Sequence, residues 1–405
     1  MKYGLLGEKL GHSYSKIIHE KFGFYSYDLF EIPKDELKPL LDSGKYAGFN
    51  VTIPYKKTVM PMCKAISAEA TAIGSVNTLV WDGDGYIGHN TDFAGFMYML
   101  GRAKIELKDK KVLILGSGGT CVTAKAVCAH VGAESVTIVS RSGDVTYDML
   151  DSYRDSQVII NTTPVGMYPK NGEAAVDVAD FPECESVVDV IYNPRRTKLL
   201  LDAKARGLKH TDGLPMLVAQ AKAAAELFIG KAINDSETER VLRELTIETG
   251  NIILTGMPGS GKTSVGTALS QMTGKTLLDT DEMVVKAAQM SIPDIFAKYG
   301  EAKFREYETD AVKEAGKLSG VIVSTGGGAV LRKENRDALC QNGKVVLLKR
   351  PLSMLGTDGR PLSSSLERLE QMEKERMPVY ESFCDICIEN TATVEDAAKA
   401  IIENL

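Results

Sequence analysis

One stretch of the chain has the residues and the spacing needed to hold the phosphates of a nucleotide. Residues 256–263 read GMPGSGKT and fit the phosphate-binding pattern G-x-x-x-x-G-K-[ST]. An apolar run at 252–254 is typical of the strand that precedes such a loop, and a helix-like pattern follows from Ser264. Lys262 is therefore expected to reach the β- and γ-phosphates of ATP, and Thr263 to hold Mg²⁺. The other loop residues expected around the phosphates are Gly256, Gly259, Ser260 and Gly261.

Further residues suited to phosphate or metal chemistry follow this loop. Asp279 and Asp281 alternate with Thr280 at the end of the strand-like segment TLLDTD, and we predict that both face phosphates and substrate. The strand pattern VIVSTGGGAV runs into three glycines at 326–328, where the backbone can approach a ligand closely. Arg360 lies in a loop rich in Gly, Pro and Ser, which suits a lid over the site.

A second glycine-rich turn is typical of dinucleotide binding. The segment KKVLILGSGGT has a strand pattern at 112–115 that runs into Gly116, Gly118 and Gly119. A helix pattern and the strand pattern SVTIV follow, as in the first βαβ unit of a dinucleotide-binding fold, although the third glycine of the usual motif is absent. Arg141 follows that second strand, where NAD-specific proteins usually place an acid, so NADP(H) is favoured over NAD(H).

Polar residues cluster at the predicted strand ends of the first hundred residues. Short strands alternate there with helical patterns, which predicts a mainly parallel sheet with ligands at its carboxyl edge. Each polar residue, taken singly, also has an ordinary explanation as a helix cap, a turn residue or a solvated lysine. Met216 and Gln220 lie four residues apart on a later Ala-rich helix and share one face, although Met216 could equally be a core residue. The clustered residues are Ser13, Ser15, Asn50, Thr52, Lys56, Asn77, Asn90, Thr91 and Asp92.

Length, charge and cysteine usage restrict the class of protein. The 405 residues are enough for two or three domains, each with its own core. The net charge of −6 argues against a nucleic-acid partner. The seven cysteines lack the spacing of a disulfide framework, which is typical of reduced thiols in a cytoplasmic protein. No apolar run approaches the about 18 residues of a membrane span, and the first residues lack the apolar core of a signal peptide.

The first 230 or so residues resemble a shikimate dehydrogenase. The motifs that carry the resemblance are GHSYS, GFNVTIPYK, GSVNT, GHNTD, NTTPVGM and DGLPMLVAQA. The resemblance implies that Lys56 and Asp92 form the catalytic pair, and that Ser13 and Ser15 hold the substrate carboxylate. Met216 is expected beside the NADPH cofactor. The residues implied to hold the substrate hydroxyls are Thr52, Asn77 and Gln220.

The rest of the chain, from residue 251 to 405, resembles a shikimate kinase. The motifs are GMPGSGKT, LDTD, IPDIFAKYGEAKFRE, STGGGAV, GRPL and RMPVYE. The resemblance implies that Asp279 helps to hold Mg²⁺ through water, and that Asp281 holds the substrate hydroxyl and acts as its base. Arg305 and Arg376 are expected to bind the substrate carboxylate, and Arg360 to close on the transferring phosphoryl group. Backbone contacts to the substrate are expected from Gly327 and Gly328.

These resemblances imply an α/β protein built from three folded parts. The first is an α/β substrate-binding domain at 1–104, to which 213–231 returns. The second is a Rossmann NADP-binding domain at 105–212. A linker at 232–250 leads to a P-loop, NMP-kinase-like domain at 251–405 with three α/β/α layers.

The function implied is a bifunctional enzyme of the shikimate pathway, with the small molecules 3-dehydroshikimate and shikimate as partners. It would use NADPH for the reduction, and ATP with Mg²⁺ for the phosphorylation. Two alternatives stay open at this point: a quinate-type dehydrogenase fused to the kinase, and a non-catalytic sensor or repressor built from copies of these enzymes. The intact residues Lys56, Asp92, Lys262, Asp281 and Arg305 argue against the second alternative. The oligomeric state is not indicated by the sequence.

Overall fold

The structure is a computed structural model that describes residues 2–11, 13–355 and 366–405. Contacts divide the chain into two compact units. The first comprises Met1–Met167 and Glu173–Glu244, and the second comprises Tyr168–Gly172 and Leu245–Leu405. The predicted finer boundaries after residues 104, 212 and 250 stay predictions.

The first sheet of the first unit is mainly parallel, as predicted, and one of its strands, β5, runs in the opposite direction. Its strands are β1 (Lys2–Gly7), β2 (Tyr27–Glu31), β3 (Tyr46–Val51), β4 (Ala65–Ile66), β5 (Thr78–Trp81) and β6 (Tyr86–His89), in the order β2-β1-β3-β5-β6-β4. Strand β1 is parallel to β2 and β3, whereas β5 is antiparallel to both β3 and β6. Strand β6 is parallel to β4, and only β5 departs from the parallel direction, because a tight turn joins it to β6, with the Asp82 N–H donating to the Gly85 carbonyl at 3.0 Å. Strands joined by so short a turn can pair only antiparallel.

The helices of this part begin and end at residues whose types favour those ends. They are α1 (Ser15–Phe22), α2 (Leu37–Asp42), α3 (Ala68–Ile73) and α4 (Asp92–Ala103). Gly23 ends α1 with a left-handed φ of 75°, as the sequence predicts, and Ser67 caps α3 through its side chain. Because α4 begins at Asp92, this carboxylate lies at a helix N-terminus, where negative charge is favourable.

The second sheet is wholly parallel and doubly wound. Its strands are β7 (Lys111–Leu115), β8 (Ser135–Val139), β9 (Val158–Asn161), β10 (Ser186–Asp189) and β11 (Lys209–Thr211), in the order β11-β10-β9-β7-β8. The helices that follow these strands are α5 (Gly119–Val131), α6 (Lys198–Ala205) and α7 (Leu214–Ile229). The chain leaves β7 on one side to form β8 and returns on its other side to form β9. The crevice outside the carboxyl ends of β7 and β9 is therefore the place where such a sheet binds ligands.

The second unit contains a third parallel sheet. Its strands are β12 (Asn251–Thr255), β13 (Leu277–Asp279), β14 (Ile322–Ser324), β15 (Gly343–Lys349) and β16 (Ile386–Glu389), in the order β13-β14-β12-β15-β16. The remaining helices are α8 (Asp235–Thr249), α9 (Lys262–Thr273), α10 (Thr280–Ala288), α11 (Ile292–Gly316), α12 (Lys333–Cys340), α13 (Leu366–Phe383) and α14 (Val394–Glu403). Helix α8 occupies most of the predicted linker. Helix α9 starts two residues before the predicted Ser264.

Both faces of this third sheet are buried, which makes the unit three-layered. Ile253 packs with residues of α11, α12 and α13 on one face, whereas its neighbours Ile252 and Leu254 pack with α9 and α14 on the other. Successive side chains of a strand point to opposite faces, so a strand covered on both sides reads as a continuous apolar run. The predicted α/β/α arrangement is confirmed.

Two findings bear on the expectations from composition. In residues 2–11, 13–355 and 366–405, no helix combines the length and the apolar character needed to cross a membrane. All seven cysteines are free thiols.

Short 3₁₀ helices occupy Lys34–Glu36, Met60–Met62, Tyr147–Tyr153, Val178–Asp180, Ala329–Leu331 and Leu352–Met354.

Candidate active sites

The first unit has a cleft of about 210 Å³ that gathers the polar residues predicted from its strand ends. Strands β1 and β3, helices α1, α4 and α7, and the first turn of α5 all contribute to its wall. Of the predicted residues, Ser13 is not part of this wall; its Oγ accepts a hydrogen bond from the Ser15 N–H at 3.2 Å. The predicted residues that line the cleft are Ser15, Thr52, Lys56, Asn77, Asp92, Met216 and Gln220.

Lys56 and Asp92 form an ion pair in this cleft. The Lys56 Nζ donates to Asp92 Oδ2 at 2.5 Å, and the two side chains are 28% and 18% exposed. The Asp92 N–H donates to Asn90 Oδ1 at 3.1 Å, which holds the first turn of α4. A charge-assisted hydrogen bond of this length fixes the ammonium in one place. The pair can stabilise negative charge that develops on a substrate oxygen, and it can deliver a proton there.

Helix α7 reaches the cleft because α4 lets it approach closely. A Cβ at Gly95 would lie 2.6 Å from the Met216 carbonyl oxygen and 2.9 Å from Gln220 Cβ, so only glycine fits there. The Gln220 Nε2 donates to the Leu217 carbonyl at 2.9 Å. Met216 belongs to a buried apolar cluster on α4, α5 and the second sheet, and it lines the cleft as well. Its expected place beside the cofactor stays a prediction.

The turn after β7 has the form that a dinucleotide pyrophosphate requires. Gly116 has φ of +101°, and a Cβ there would lie 2.9 Å from Thr163 Cγ2 on the neighbouring loop. A Cβ at Gly118 or Gly119 would meet nothing within 4 Å, so this side of the turn is open to a ligand. Helix α5 begins at Gly119, and its first N–H groups favour an anion. These features fit NADP, and Arg141 lies exposed after β8, where a 2′-phosphate could reach it.

Sequence reasoning gave no role to two polar residues of this cleft. Asn50 and Tyr192 both line it. Asn50 is one of the polar residues predicted at the strand ends, but the resemblance to the dehydrogenase family assigns a role only to nearby residues such as Thr52 and Lys56. Tyr192 ends the apolar run VVDVIY. A polar aromatic residue at the end of a strand pattern is the sequence feature that could have identified it as a cleft residue. Its ring lies edge-on to Tyr14, with centroids 5.5 Å apart.

The second unit has a larger pocket, of about 850 Å³, at the carboxyl edge of the third sheet. Gly256 and Ser260 are not part of its wall. Gly256 has a φ of +144°, which suits the sharp turn after β12, and Ser260 is fully buried beneath the loop. Arg360 lies outside the residues that the structure describes, so its predicted role stays a prediction. The predicted residues that line the pocket are Gly259, Gly261, Lys262, Thr263, Asp279, Asp281, Arg305, Gly327, Gly328 and Arg376.

The phosphate-binding loop wraps around the lysine at the start of α9. The Lys262 Nζ donates to the carbonyls of Gly256 and Met257, both at 3.0 Å, and the residue is 8% exposed. Gly259 and Gly261 adopt left-handed φ angles of +86° and +90°, which other residues rarely adopt. The loop and the first turn of α9 therefore turn N–H groups and one ammonium towards an anion.

The residues expected to hold Mg²⁺ lie together, although not in the predicted way. Asp279 and Asp281 both line the pocket, but they do not alternate along one strand, because β13 ends at Asp279 and α10 begins at Thr280. Asp279 caps α10 by accepting from the Asp281 N–H at 3.0 Å. Thr263 Oγ1 donates to Asp279 Oδ2 at 2.9 Å. One hydroxyl and one carboxylate beside a phosphate loop fit Mg²⁺, which takes its other ligands from phosphate and water.

Two arginines line the same pocket for a carboxylate. Arg305 donates to Glu308 Oε2 at 2.8 Å, and burial raises the pKa of Glu308, although the guanidinium opposes this shift. A Cβ at Gly328 would overlap the Arg305 guanidinium, so glycine leaves the space that this side chain needs. Arg376 is 8% exposed on α13. One turn later, Tyr380 donates to the Gly327 carbonyl at 2.5 Å, which ties α13 to the glycine loop.

Comparison with known families agrees with both sites. The family model of the shikimate dehydrogenase substrate-binding domain matches residues 5–79, and that of shikimate kinase matches residues 258–405. A shikimate dehydrogenase (NADP⁺) of Clostridium perfringens (strain SM101 / Type A) is 38% identical over 265 residues, which cover 60% of this chain and 97% of that protein.

Solved structures agree over the same part of the chain. A chorismate mutase/shikimate 5-dehydrogenase fusion protein from Clostridium acetobutylicum is 40% identical, with a TM-score of 0.58, and covers 60% of this chain and 96% of that one. A shikimate 5-dehydrogenase from Thermus thermophilus, solved with NADP(H) and shikimate, is 30% identical, with a TM-score of 0.55, and covers 60% and 99%. The chain thus belongs to the shikimate dehydrogenase family over about 60% of its length and carries a shikimate kinase domain at residues 258–405, as a dehydrogenase–kinase fusion.

Proposed function

We propose that this chain catalyses two consecutive reactions on one small acid. The first is the NADPH-dependent reduction of 3-dehydroshikimate to shikimate, and the second is the ATP-dependent phosphorylation of shikimate at its 3-hydroxyl. The observation that carries the proposal is the presence of two candidate sites in one chain. Lys56 and Asp92 are 2.5 Å apart in one cleft, and a phosphate loop lies beside Arg305 and Arg376 in another. The product of the first reaction is the substrate of the second.

In the reduction, the chain positions a ketone and supplies a proton. Bound NADPH supplies the hydride. With hydride delivered to the keto carbon, the Lys56 ammonium would stabilise the developing alkoxide and give it a proton. Asp92 holds the ammonium in place, and Ser15 and Gln220 line the cleft where the acid is proposed to bind.

In the phosphorylation, the chain positions a hydroxyl in line with the γ-phosphate of ATP. Lys262 and the N–H groups of the loop bind the phosphates, and Asp281 accepts the hydroxyl proton. The guanidinium groups of Arg305 and Arg376 bind the carboxylate of the acid, for which their fork of donors is suited. When bound, Mg²⁺ neutralises phosphate charge, with Thr263 and Asp279 as its protein partners.

The setting of these reactions is part of the proposal. We propose Mg²⁺ as the metal of the kinase site, the cytoplasm as the location, and small molecules rather than nucleic acid or membrane as the partners. The net charge of −6 supports the exclusion of nucleic acid. The free thiols of all seven cysteines are compatible with a reducing compartment.

The two reactions can be measured separately on the full chain. With 3-dehydroshikimate, we expect oxidation of NADPH and formation of shikimate. With shikimate, ATP and Mg²⁺, we expect ADP and shikimate 3-phosphate. Loss of both activities in a folded chain that still binds shikimate would favour a sensor and contradict the proposal.

The same assay distinguishes a quinate-type dehydrogenase. Quinate with NAD⁺ and shikimate with NADP⁺ are compared for the reverse oxidation. Because Arg141 follows β8 and suits a 2′-phosphate, we expect the shikimate and NADP⁺ pair to have the higher kcat/KM. A higher kcat/KM with quinate and NAD⁺ would identify a quinate dehydrogenase instead.

A further inference from the structure

A chain of buried polar side chains runs beneath the cleft of the first unit. It starts at Tyr27 on β2, whose hydroxyl lies 2.8 Å from Asn50 Oδ1. The Asn50 Nδ2 lies 3.1 Å from Thr78 Oγ1, and Thr78 Oγ1 lies 3.0 Å from Asn77 Oδ1. All four residues are buried, and the two asparagines line the cleft. The chain therefore connects a tyrosine remote from the cleft to two amides in its wall.

The direction of every hydrogen bond in this chain follows from one backbone group. The Thr91 N–H can only donate, and it lies 2.8 Å from Asn77, which identifies the amide oxygen at that end. Thr78 donates its single hydrogen to this oxygen at 3.0 Å, which is closer than its 3.3 Å contact with Thr91 Oγ1, so its own oxygen accepts from the Asn50 amide nitrogen. The Asn50 oxygen consequently faces Tyr27, whose hydroxyl must donate.

These directions leave each amide with one hydrogen for a ligand. Asn50 uses one N–H on Thr78, and Asn77 uses one N–H on Thr91 Oγ1 at 3.1 Å. In the part of the chain that the structure describes, no other acceptor takes the second hydrogen of either amide. Since both side chains line the cleft, both can offer an N–H donor to an oxygen of the bound acid.

The Tyr27 ring is itself held in one position. The His19 ring stacks on it, with centroids 4.1 Å apart and planes 6° apart, and His19 Nδ1 lies 2.7 Å from the Tyr25 hydroxyl. Burial lowers the pKa of His19 to about 3, so this imidazole is neutral. Burial also raises the pKa of Tyr27 well above its ordinary value, so the hydroxyl keeps the proton that it donates.

We propose that Tyr27 is a positioning residue for substrate binding in the dehydrogenase cleft. It acts by fixing the Asn50 amide and, through Thr78, the Asn77 amide, so that both present N–H groups to oxygens of the substrate. The proposal rests on the proposed reduction of 3-dehydroshikimate. A site that is built to pair its buried polar groups with a ligand discriminates strongly against analogues that lack the matching oxygens.

The test is Tyr27→Phe in the full chain, with Tyr55→Phe as the matched control. Tyr55 is also buried in this unit, and its hydroxyl donates to the Ile32 carbonyl at 2.8 Å, outside the polar chain. Without the Tyr27 hydroxyl, the Asn50 oxygen loses its donor at 2.8 Å and keeps only its interaction with the His19 side chain, so the amide is held less firmly. We expect KM for 3-dehydroshikimate to rise about tenfold, with little change in kcat or in KM for NADPH. In Tyr55→Phe we expect all three constants to stay near those of the parent.

A second variant covers the case in which Tyr27→Phe does not fold. Thr78→Val keeps the shape of the side chain, breaks the link between the two amides, and is expected to raise the same KM. When both singles fold, the double variant should have a KM no higher than the worse single, because both interrupt one chain. Unchanged kcat for the reduction and unchanged KM for NADPH report that the first unit of each variant is intact.

Two results would overturn the proposal. One is a KM for 3-dehydroshikimate in Tyr27→Phe that rises no more than in Tyr55→Phe. The other is a normal KM for 3-dehydroshikimate in Thr78→Val. If Tyr27→Phe does not fold, this second result is sufficient by itself. Both differ from a failure of the proposed function, which would appear as absence of 3-dehydroshikimate reduction in the parent chain.

Discussion

At the scale of the residue, the reduction depends on where one ammonium group is held. Lys56 is about three-quarters shielded from solvent and is bound to the Asp92 carboxylate at the start of α4. Lys57, its neighbour in sequence, is exposed. Position rather than charge alone therefore distinguishes the two lysines.

Replacing this lysine should stop one reaction and spare the other. We expect Lys56→Ala to lower kcat for 3-dehydroshikimate reduction by about two to three orders of magnitude, because the alkoxide loses its proton donor and its stabilising charge. Lys57→Ala should reduce with nearly normal kcat. Steady-state oxidation of NADPH measures both variants, and near-normal turnover in Lys56→Ala would remove this residue from the mechanism.

A buried carboxylate should make stability depend on pH. Burial raises the pKa of Asp189 to about 7, although hydrogen bonds from Thr197, the Ile191 N–H and Asn161 oppose the shift. An unfolded aspartate titrates near pH 3.9, so between pH 4 and 7 the folded state binds a proton that the unfolded state lacks. Stability contributed by this group is present at low pH and falls as pH rises through that window.

The Asp189→Asn variant removes this dependence, because its amide mimics the protonated acid. We expect its free energy of unfolding, relative to the parent, to increase by up to about 1.4 kcal/mol per pH unit across the window. Urea unfolding at several pH values measures this difference. Asp144→Asn, at an exposed position, is the control. Parallel curves for parent and Asp189→Asn would show that the carboxylate is not protonated when folded.

At the scale of the element, the dehydrogenase cleft depends on the close approach of α4 and α7. Helix α4 begins with Asp92, and α7 carries Met216 and Gln220, so the distance between these helices sets the width of the cleft. Gly95 is the residue that permits this distance. Gly101 lies on the same helix, where a Cβ would meet nothing within 4 Å.

Replacing each of these glycines by alanine should change the stability of the folded chain in opposite directions. Gly95→Ala is expected to lower stability by about 1–3 kcal/mol through overpacking and to raise KM for 3-dehydroshikimate. Gly101→Ala is expected to raise stability by about 0.5–1 kcal/mol, since alanine is the better helix former and space is available. Thermal unfolding and NADPH oxidation measure both. Equal effects of the two variants would mean that α4 and α7 do not approach as described.

Local signals predicted most of these elements. The helices before Gly23, Gly132 and Gly230 each end at a glycine in the left-handed conformation, a type of helix end that depends on that one residue. The reversed direction of β5 and the helical position of Asp281 were not predicted. Strand direction depends on the turn that joins a pair, and Asp279 is a cap rather than the middle of a strand.

The site was predictable to the extent that motifs record it. Lys56, Asp92 and the phosphate loop lie in recognisable stretches. Tyr27 is 23 residues from Asn50 in sequence, and Asn50 is 28 residues from Thr78, so their hydrogen bonds arise only from the pairing of strands. No local pattern records such a contact. The close contact of Gly95 with Met216 and Gln220, which excludes a Cβ there, also joins residues that are distant in sequence.

At the scale of the whole molecule, each candidate site lies within one of the two compact units. The cleft residues belong to the first unit, and the phosphate-loop pocket belongs to the second. Each unit has its own apolar clusters. A substitution in one site is therefore expected to leave the chemistry of the other intact.

Replacing the lysine of the phosphate loop should stop the phosphorylation and spare the reduction, the opposite of the result expected for Lys56→Ala. Lys262→Ala should lower kinase turnover by about two orders of magnitude or more, because phosphate charge loses its buried cation. The reduction of 3-dehydroshikimate should continue, so shikimate should accumulate even with ATP and Mg²⁺ present. Product analysis by chromatography measures this, and loss of both activities would indicate that the two sites depend on each other.

The most direct test of the account follows both steps in one mixture. The full chain is supplied with 3-dehydroshikimate, NADPH, ATP and Mg²⁺, and NADPH, ADP, shikimate and shikimate 3-phosphate are measured over time. We predict that one NADPH is oxidised and one ADP formed for each shikimate 3-phosphate, that Lys56→Ala slows formation of this product by about two to three orders of magnitude, and that added shikimate restores it. Consumption of 3-dehydroshikimate without formation of shikimate 3-phosphate by the parent chain would contradict the account.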